Sequence, residues 1–448
     1  MSFPGQKSSV LIQELLSHVV VDPYPFVVDL RRCSGMQIAT IDGDLITDWG
    51  GLYGSKLIGY NHPKLFTEEY LTRLAYASAT KLPNPDFLTP ECLEYYRTVK
   101  SIAPRCMHNE RLEVYAVNSG AEAVENMMKY FINRHQRTSR AKGINVPVSR
   151  FLYFDQAFHG RTVFALNITR LDHDPVITRN YEGFVPGNLK VPFPAWNNSR
   201  SDSDNDRELD SCLATIEQLF QTYGHEIAGV ILEPIQGAGG HRIAAPRFFT
   251  RLSELCHTYD INWGLDEVQT AGGQCGSVFS IDLYDIPYPP QAVASAKKFG
   301  NGVVFMVEPM DDVGVLDSTW GGTLSDMVRF VEEWNIVRDE QLLEQVPEKT
   351  GVLVSGLKSL ETRWPGKIEN VRGLGLYQGF SFRTPSDSGV FIDRALEDEA
   401  LLMLGAGPGT IRLRPPLDVT HNDIEDMIAR AHRILDRMYG NSAPEGAD

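Results

Sequence analysis

The sequence Ile261-Asn-Trp-Gly-Leu-Asp266-Glu-Val-Gln-Thr270 is followed by a glycine-rich turn and, further on, by Gln291-Ala-Val-Ala-Ser-Ala-Lys297-Lys298. Each half is a short apolar run that ends in a charged group, an aspartate in the first and a lysine pair in the second. In a parallel α/β sheet, functional groups lie just beyond the carboxyl ends of the strands. This stretch therefore predicts that an acid and an amine lie at one edge of such a sheet.

An acid and an amine at one sheet edge suit pyridoxal phosphate. A lysine forms a Schiff base with the aldehyde of this cofactor, and a carboxylate keeps the pyridine nitrogen protonated so that the ring can accept electrons. Asp266 and Lys297 or Lys298 have these functional groups. On these residues alone, an ordinary strand-end aspartate and a surface lysine explain the pattern as well or better, so the rest of the chain must decide between the two interpretations.

Size and composition predict a protein of two domains without a nucleic-acid surface. The chain has 448 residues, and single hydrophobic cores stop growing near ~250–300 residues. Its 42% hydrophobic and 22% charged residues are typical of a soluble globular protein. The net charge of -16 argues against nucleic-acid binding, because such a surface needs clustered lysine and arginine to replace counterions.

Targeting and metal signals are not found in the sequence. No basic segment followed by a long apolar segment opens it, and no apolar run approaches the ~18 residues of a membrane span. The six cysteines are scattered, with no C-x-x-C pair and no histidine at metal spacing. We therefore expect a cytoplasmic protein with reduced cysteines, no metal site and no membrane partner.

Strand-like segments alternate with helical segments through the middle of the chain. A strand at 112–117, a tight turn and an amphipathic helix at 122–134 form the first such unit. Further predicted strands lie at 151–154, 227–232, 261–265 and 292–296. This alternation predicts an α/β fold with a doubly wound, mostly parallel sheet.

The two ends of the chain have a different pattern, which predicts a smaller α+β domain built from both termini. Ser8 or Ser9 is predicted to cap a helix that runs to residue 20, and residues 26–49 read as a hairpin. Strands near 367–382 and 409–413 precede a closing helix at 421–439. The predicted boundaries are 1–60 for the N-terminal segment, 61–335 for the large domain and 336–448 for the C-terminal part. The polar tract 196–206 is interpreted as a flexible surface loop.

Two further segments carry candidate binding groups. The turn Ser119-Gly120-Ala121 before a helix offers free backbone N–H groups and the positive helix end to an anion such as a phosphate, although simple helix capping explains it too. Phe158 and Arg161, in a loop after a strand, supply an aromatic face for a heterocycle and a guanidinium for a carboxylate.

Seven motifs together resemble those of the class III (ω-) aminotransferases and stand in the same order. They are Asn118-Ser-Gly-Ala-Glu-Ala, Phe158-His-Gly-Arg, Glu233-Pro-Ile-Gln-Gly, Asp266-Glu-Val-Gln-Thr, Lys297-Lys, Ser318-Thr-Trp-Gly-Gly and Arg412-Leu-Arg-Pro-Pro-Leu. The resemblance runs from about Asp22 to the last helix and is closest to L-lysine 6-aminotransferases and 4-aminobutyrate aminotransferases. It implies a fold-type-I pyridoxal-phosphate enzyme and a homodimer whose active site is shared between subunits.

The resemblance also implies a role for each matching residue. Lys297, the first lysine of the pair, would be the Schiff-base lysine and proton carrier, and Asp266 would hold the pyridinium. The other implied cofactor contacts are Gly120, Ala121, Phe158, Gln269 and, to the phosphate of the neighbouring subunit, Thr319. Arg161 and Arg412 would bind substrate carboxylates, and Glu233 would support the site from behind.

The implied reaction moves the terminal amino group of an ω-amino acid, L-lysine in the first place, to 2-oxoglutarate by a ping-pong mechanism. One position departs from the family pattern. Where a glutamate usually masks the second arginine while an ω-amino donor is bound, this chain has Ala238. We therefore expect weaker discrimination between α- and ω-amino donors, or a donor of a different shape.

Three alternatives stay open at the level of the sequence. The donor could be 4-aminobutyrate or another ω-amino acid or amine. The same scaffold also serves aminomutases and decarboxylases, which share the lysine and the aspartate. A nucleotide-dependent oxidoreductase is suggested by Gly405-Ala-Gly-Pro-Gly409, but that segment has no βαβ unit around it and no acid about ~20 residues further on.

Overall fold

The computed structural model describes residues 3–146, 149–181 and 187–440. The chain divides into two compact units, one formed by residues 1–67 together with 337–448 and the other by residues 68–336. The helix Leu324–Asp339 carries the chain across the second boundary.

The N-terminal segment contains a helix, Gln6–His18, and a hairpin of β1 (Gln37–Ala39) and β2 (Leu45–Asp48). The hairpin was predicted, but the predicted helix cap is wrong. The Asp42 carboxylate, from the hairpin turn, accepts hydrogen bonds from the backbone N–H groups of Lys7 (2.8 Å) and Ser8 (3.0 Å). A carboxylate at the positive helix end satisfies these N–H groups from elsewhere in the chain, so no local serine caps them.

The strands of the larger unit are β3 (Glu113–Val117), β4 (Arg150–Phe154), β5 (Leu189–Val191), β6 (Ile227–Leu232), β7 (Ile235–Gln236), β8 (Arg242–Ile243), β9 (Trp263–Asp266), β10 (Ala292–Ser295) and β11 (Gly302–Met306). Seven of them form one sheet with the strand order β3-β11-β10-β9-β6-β4-β5. Strands β10, β9, β6, β4 and β5 are parallel to one another, and β11 is antiparallel to both of its neighbours. The predicted doubly wound, mostly parallel α/β sheet is confirmed.

Helices cover this sheet, and the helix Gly120–Ala141 contributes a large share of the buried apolar core. Its apolar face packs on β6, β10 and β11 through side chains with no exposed surface, namely Ala123, Val124, Met127, Met128 and Phe131. The other helices of the unit are Glu68–Ala79, Pro90–Ser101, Asp202–Tyr223 and Pro246–Thr258. Short 3-10 helices lie at Arg105–Met107, Ala165–Ile168, Pro175–Ile177, Gly224–Glu226, Ser280–Leu283 and Lys297–Phe299.

The polar tract 196–206 is only in part the loop that the sequence predicted. The helix Asp202–Tyr223 begins inside it, and the Ser201 hydroxyl accepts a hydrogen bond from the backbone N–H of Asp204 at 3.2 Å. Serine and aspartate favour loops, yet they are also the residues that cap and begin helices, and here the second property prevails.

The smaller unit combines strands from both ends of the chain. Strand β14 (Leu401–Leu402) pairs in parallel with β2. A separate sheet contains β12 (Ile368–Leu374), β13 (Tyr377–Phe382), β15 (Leu404–Ala406) and β16 (Thr410–Arg412). These four strands have the order β12-β13-β16-β15. The remaining helical segments of this unit are the short helical turn Gly51–Gly54, the 3-10 helix Pro63–Phe66 and the α-helices Val346–Arg363, Asp387–Glu399 and His421–Tyr439, the last with the predicted bounds.

The glycine-rich segment 405–409 lies at the turn of an antiparallel hairpin, because β15 pairs directly with β16. A dinucleotide loop instead joins a strand to the helix of a βαβ unit. The structure therefore gives no support to the oxidoreductase alternative.

Candidate active site

The register of the central sheet brings three chemically active side chains to one edge. Asp266 is the last residue of β9 and pairs with Ala294 of β10, three residues before Lys297. On the other side of β9, Leu265 pairs with Leu232, the residue before Glu233. Because β6, β9 and β10 are parallel neighbours, their carboxyl ends deliver the two acids and the lysine side by side.

Asp266 is held by a buried histidine that the sequence prediction did not include. The Nδ1 atom of His159 lies 2.8 Å from Oδ2 of Asp266, whose Oδ1 accepts a hydrogen bond from the backbone N–H of Val268 at 3.0 Å. His159 is 2% exposed and Asp266 is 5% exposed. The sequence hinted at this histidine only through its place in the motif that starts at Phe158, in which only Phe158 and Arg161 were assigned roles.

Glu233 supports the loop that carries Phe158. Its Oε1 atom accepts a hydrogen bond from the backbone N–H of Phe158 at 2.8 Å, and its side chain is buried. Burial, opposed by His159 and assisted by the nearby Asp266, raises the pKa of Glu233 to about 7. The Glu233 side chain thus contacts the backbone of Phe158 and lies close to Asp266.

Close packing at two glycines brings the start of the helix Gly120–Ala141 to the same edge. A Cβ atom on Gly120 would lie 2.7 Å from Cγ1 of Val268 and 3.3 Å from Cβ of Ala296. Val268 closely follows Asp266 in the sequence, and Ala296 directly precedes Lys297. A Cβ atom on Gly160 would lie 2.5 Å from Cβ of Ala121. Gly120 and Ala121 therefore lie against the ends of β9 and β10 and against the loop that contains Phe158.

Gln269 packs against the loop that contains Ala238. A Cβ atom on Gly237 would overlap the Gln269 side-chain amide, and one on Gly239 would overlap the backbone carbonyl of Gln156. The loop joins β7 to β8, which form a two-stranded antiparallel ribbon. Ala238, partly exposed, thus stands in a loop that adjoins the segment following Asp266.

The two adjacent lysines have different environments. Lys297 is partly exposed and has a φ of 53°, in the left-handed region that non-glycine residues rarely adopt. Lys298 is 1% exposed, and its Nζ atom donates a hydrogen bond to the backbone carbonyl of Gln269 at 2.6 Å. Lys297 is therefore the lysine of the pair whose side chain has the greater access to a ligand.

Two predicted residues of the larger unit lie on its exposed loops. Thr319 is exposed, and the neighbouring Ser318 hydroxyl accepts a hydrogen bond from the Asn118 side-chain amide at 2.9 Å. Arg161 is also exposed and contributes to a cavity of about 350 Å³. The other residues that line this cavity are mostly apolar: Val163, Leu166, Val176, Ile177 and Tyr181.

Arg412 belongs to the other unit, where it ends β16 and is 9% exposed. Burial and a hydrogen bond with Tyr53 raise the pKa of Tyr24, and the Arg412 guanidinium opposes this shift. Tyr53 lies in a turn, Gly51–Gly54, whose φ angles are positive. The Asp48 carboxylate stabilises the start of this turn by accepting the backbone N–H groups of Gly50 and Gly51, both at 2.9 Å. The arginine thus has Tyr24 in its surroundings, and Tyr24 in turn is hydrogen-bonded to Tyr53.

The residues of the larger unit fit pyridoxal phosphate. A buried carboxylate paired with a histidine suits a protonated ring nitrogen, because an opposite charge in a site of low polarity favours the charged form. A partly exposed lysine suits the aldehyde. At the start of the helix Gly120–Ala141 the Ser119 hydroxyl accepts the N–H of Glu122, and the backbone N–H groups before it suit a phosphate. Among the described residues, no group of His, Cys, Asp and Glu side chains could hold a metal ion, and no helix is long and apolar enough to cross a membrane.

Comparison with known proteins identifies the class. A family model described as aminotransferase class-III matches residues 19–435. The chain belongs to this family, as predicted, and it is a pyridoxal-phosphate-dependent transaminase that uses an amino donor and an oxo-acid acceptor.

The individual relatives include aminotransferases for two ω-amino donors. The L-lysine-epsilon aminotransferase of Mycobacterium tuberculosis is 30% identical over 440 residues, 95% of either chain. The 4-aminobutyrate aminotransferase of Dictyostelium discoideum is 27% identical over 472 residues, which cover 98% of this chain and 91% of the relative.

Solved structures agree with this family and with fold type I. The lysine aminotransferase of M. tuberculosis in its internal aldimine form has a TM-score of 0.89 and 29% identity, with 96% of this chain and 99% of that chain covered. The ornithine aminotransferase of Toxoplasma gondii, with a TM-score of 0.80 and 19% identity, covers 98% of this chain and 97% of that chain and shows the shared fold alone.

Proposed function

We propose that this transaminase removes the terminal amino group of an ω-amino acid, with L-lysine as the first candidate, and transfers it to 2-oxoglutarate in a ping-pong reaction. The product of the first half-reaction is then the 6-semialdehyde. The similarity to L-lysine-epsilon aminotransferases over 95% of the chain supports this donor. The similarity to 4-aminobutyrate aminotransferases makes 4-aminobutyrate the second candidate.

The observation that carries the chemistry is the pairing of Ala294 with Asp266, which sets the lysine turn beside the buried acid. Bound pyridoxal phosphate supplies an aldehyde that takes up the donor's amino group and a ring that accepts electrons from the donor carbon. We propose that Asp266, which is hydrogen-bonded to His159, contacts the ring nitrogen of the cofactor. The Lys297 amine would bind the aldehyde before the donor arrives and then carry the proton at the donor carbon.

The remaining cofactor contacts are assigned by type of group. Backbone N–H groups of Gly120 and Ala121 would hold the phosphate, since helix N-termini favour anions. The ring of Phe158 would stack on the cofactor, and Gln269 would contact the ring hydroxyl. Glu233 would hold the Phe158 backbone from behind, as its hydrogen bond to that N–H group supports.

Substrate carboxylates are assigned to Arg161 and Arg412, because a guanidinium can form two parallel hydrogen bonds to a carboxylate. Ala238 has no carboxylate with which to mask an arginine while an ω-amino donor is bound. Leaving a buried charge without compensation costs several kcal/mol, so a masking acid would favour one donor orientation over another. We therefore expect this enzyme to discriminate less between α- and ω-amino groups than relatives that carry a glutamate.

The proposed functional form is a homodimer in the cytoplasm, with Thr319 directed to the phosphate of the partner subunit. The exposure of Thr319 and of its neighbour Trp320, which is 44% exposed, supports a contact surface at this loop. Sedimentation at several concentrations tests this assembly, and a chain that stays monomeric while fully active contradicts it.

A donor screen tests the proposed activity. The full chain, loaded with pyridoxal phosphate, is mixed with L-lysine, 4-aminobutyrate, ornithine or glutamate, and conversion of the cofactor to its amine form is followed by absorbance. We expect L-lysine to react fastest and Lys297→Ala to abolish the conversion. Equal or faster reaction with 4-aminobutyrate would replace the proposed donor, and normal conversion by Lys297→Ala would contradict the assigned chemistry.

A further inference from the structure

The second lysine of the pair forms a bridge between the two strand ends that carry the proposed catalytic groups. Lys298 follows β10 by three residues, and its Nζ atom donates to the carbonyl of Gln269, three residues after the end of β9. The distance of 2.6 Å between the two atoms is that of a short hydrogen bond. The Lys298 side chain therefore connects the turn that begins at Lys297 to the segment that follows Asp266.

The fit around this side chain leaves little freedom. Gly272 has a φ of 119°, and a Cβ atom there would lie 2.5 Å from Cε and 2.7 Å from Cδ of Lys298. The lysine stem therefore lies directly on the backbone of the segment that its ammonium group contacts. With 1% of its surface exposed, the side chain is part of the interior.

The far side of the same segment is fixed by another buried residue, Glu267. Its carboxylate accepts hydrogen bonds from the Thr270 hydroxyl (2.7 Å), from the hydroxyl and backbone N–H of Ser280 (2.8 and 2.9 Å) and from the backbone N–H of Ile281 (2.9 Å). The segment that contains Gln269 is thus held by Glu267 within its own loop, whereas Lys298 holds it to the lysine turn.

We propose that Lys298 is a positioning residue for transamination, which sets the place of the Gln269 segment and of Asp266 relative to Lys297. This inference rests on the proposed roles of Asp266 and Lys297. A neutral side chain in place of Lys298 would leave the Gln269 carbonyl without this buried donor and release the segment. Because proton transfer depends on geometry within about an ångström, a small displacement lowers the rate on the order of a hundredfold.

A matched control separates positioning from general stability. Lys349 is also a buried lysine, 7% exposed, whose Nζ atom donates to a backbone carbonyl, that of Leu417, at 2.8 Å. It belongs to the other unit, in the helix Val346–Arg363. Lys349→Met therefore removes the same kind of hydrogen bond without touching the segment beside the proposed centre.

The test compares Lys298→Met, Lys298→Arg and Lys349→Met in the full chain. In Lys298→Met we expect faster hydrogen exchange of amides 270–273 without added cofactor, by about tenfold, and a changed pH midpoint of the absorbance of bound pyridoxal phosphate. The turnover number of the donor half-reaction should fall strongly with less than a twofold change in the donor KM. Lys298→Arg, which keeps a charged donor, should restore a large part of the rate.

Lys349→Met should lower the melting temperature and leave the absorbance midpoint and the turnover number unchanged. If Lys298→Met is no different from Lys349→Met in these readouts, Lys298 is an ordinary buried lysine and the inference is overturned. If Lys298→Met does not fold, Lys298→Gln, which keeps one N–H donor, is measured in the same way. Failure of the proposed function would look different, because Lys297→Ala would then retain normal amino transfer.

Discussion

The Nδ1 atom of His159 and the Oδ2 atom of Asp266 are 2.8 Å apart, and both side chains are buried. The Nε2 atom of His159 is also buried and has no hydrogen-bond partner among the described residues. The Nδ1 atom is therefore the ring nitrogen that can share a hydrogen bond with the carboxylate. This contact keeps the Asp266 side chain oriented.

His159→Leu removes the Nδ1 partner of the Asp266 carboxylate and leaves this carboxylate with one hydrogen bond fewer in the interior. We expect a loss of about 1–3 kcal/mol in the free energy of unfolding, together with weaker binding of pyridoxal phosphate. Urea unfolding and fluorescence titration with the cofactor measure the two effects. His159→Asn, which keeps an N–H donor, should lose less of both, and equal losses in the two variants would argue against the hydrogen bond as the cause.

The buried Glu233 predicts a pH dependence of stability. Its pKa of about 7 in the folded state is higher than its ordinary value of 4.5, so between these pH values the folded state binds more protons than the unfolded state. Stability contributed by this group is therefore present below pH 4.5, is lost as the pH rises towards 7 and is constant above that. Glu233→Gln should remove this part of the dependence, so that the stability difference between variant and wild type shifts in favour of the variant as the pH rises.

Thermal unfolding of the two proteins between pH 5 and 8, at one ionic strength, measures this difference. A stability difference that does not vary with pH across this range would contradict the raised pKa.

The backbone at Lys297 predicts an unusual order of stability among variants. A φ of 53° is easy for glycine and costs other residues about 1 kcal/mol. Lys297→Gly should therefore be more stable than Lys297→Ala by about 0.5–1 kcal/mol. The adjacent Lys298, which is not among the positive-φ residues, should show the reverse order for Gly and Ala. Chemical unfolding of the four variants measures both orders, and the same order at the two positions would contradict the assigned backbone conformation.

Gly120 and Gly389 should respond differently to substitution by alanine. Gly120→Ala would place a Cβ atom 2.7 Å from Val268, so the helix start must move away from the end of β9. We expect a loss of about 1–3 kcal/mol and weaker cofactor binding. At Gly389, in the helix Asp387–Glu399, an added Cβ meets no atom within 4 Å, and Gly389→Ala should be neutral or stabilising by up to about 1 kcal/mol. Equal effects at both positions would show that Gly120 is not closely packed.

The sequence by itself determined the local elements and the order of the chemical motifs. The helix His421–Tyr439 has the predicted bounds because its amphipathic pattern and its Thr420 capping box both act within the segment. Strand β6 likewise lies at the predicted residues, since a run of apolar side chains is needed where a strand is buried on both faces. Family membership followed from motifs that are short and contiguous.

The tertiary structure alone decided which distant groups meet. The Asp42 cap, the bond between His159 and Asp266, and the bridge from Lys298 to Gln269 join residues that lie 29 to 107 positions apart in the sequence. Such partners are selected by strand register and by packing at glycines, and neither leaves a periodic trace in the sequence. The acid and the lysine can therefore be identified from the sequence. The residues that hold them in place can be identified only from the structure, because the folded sheet brings them together.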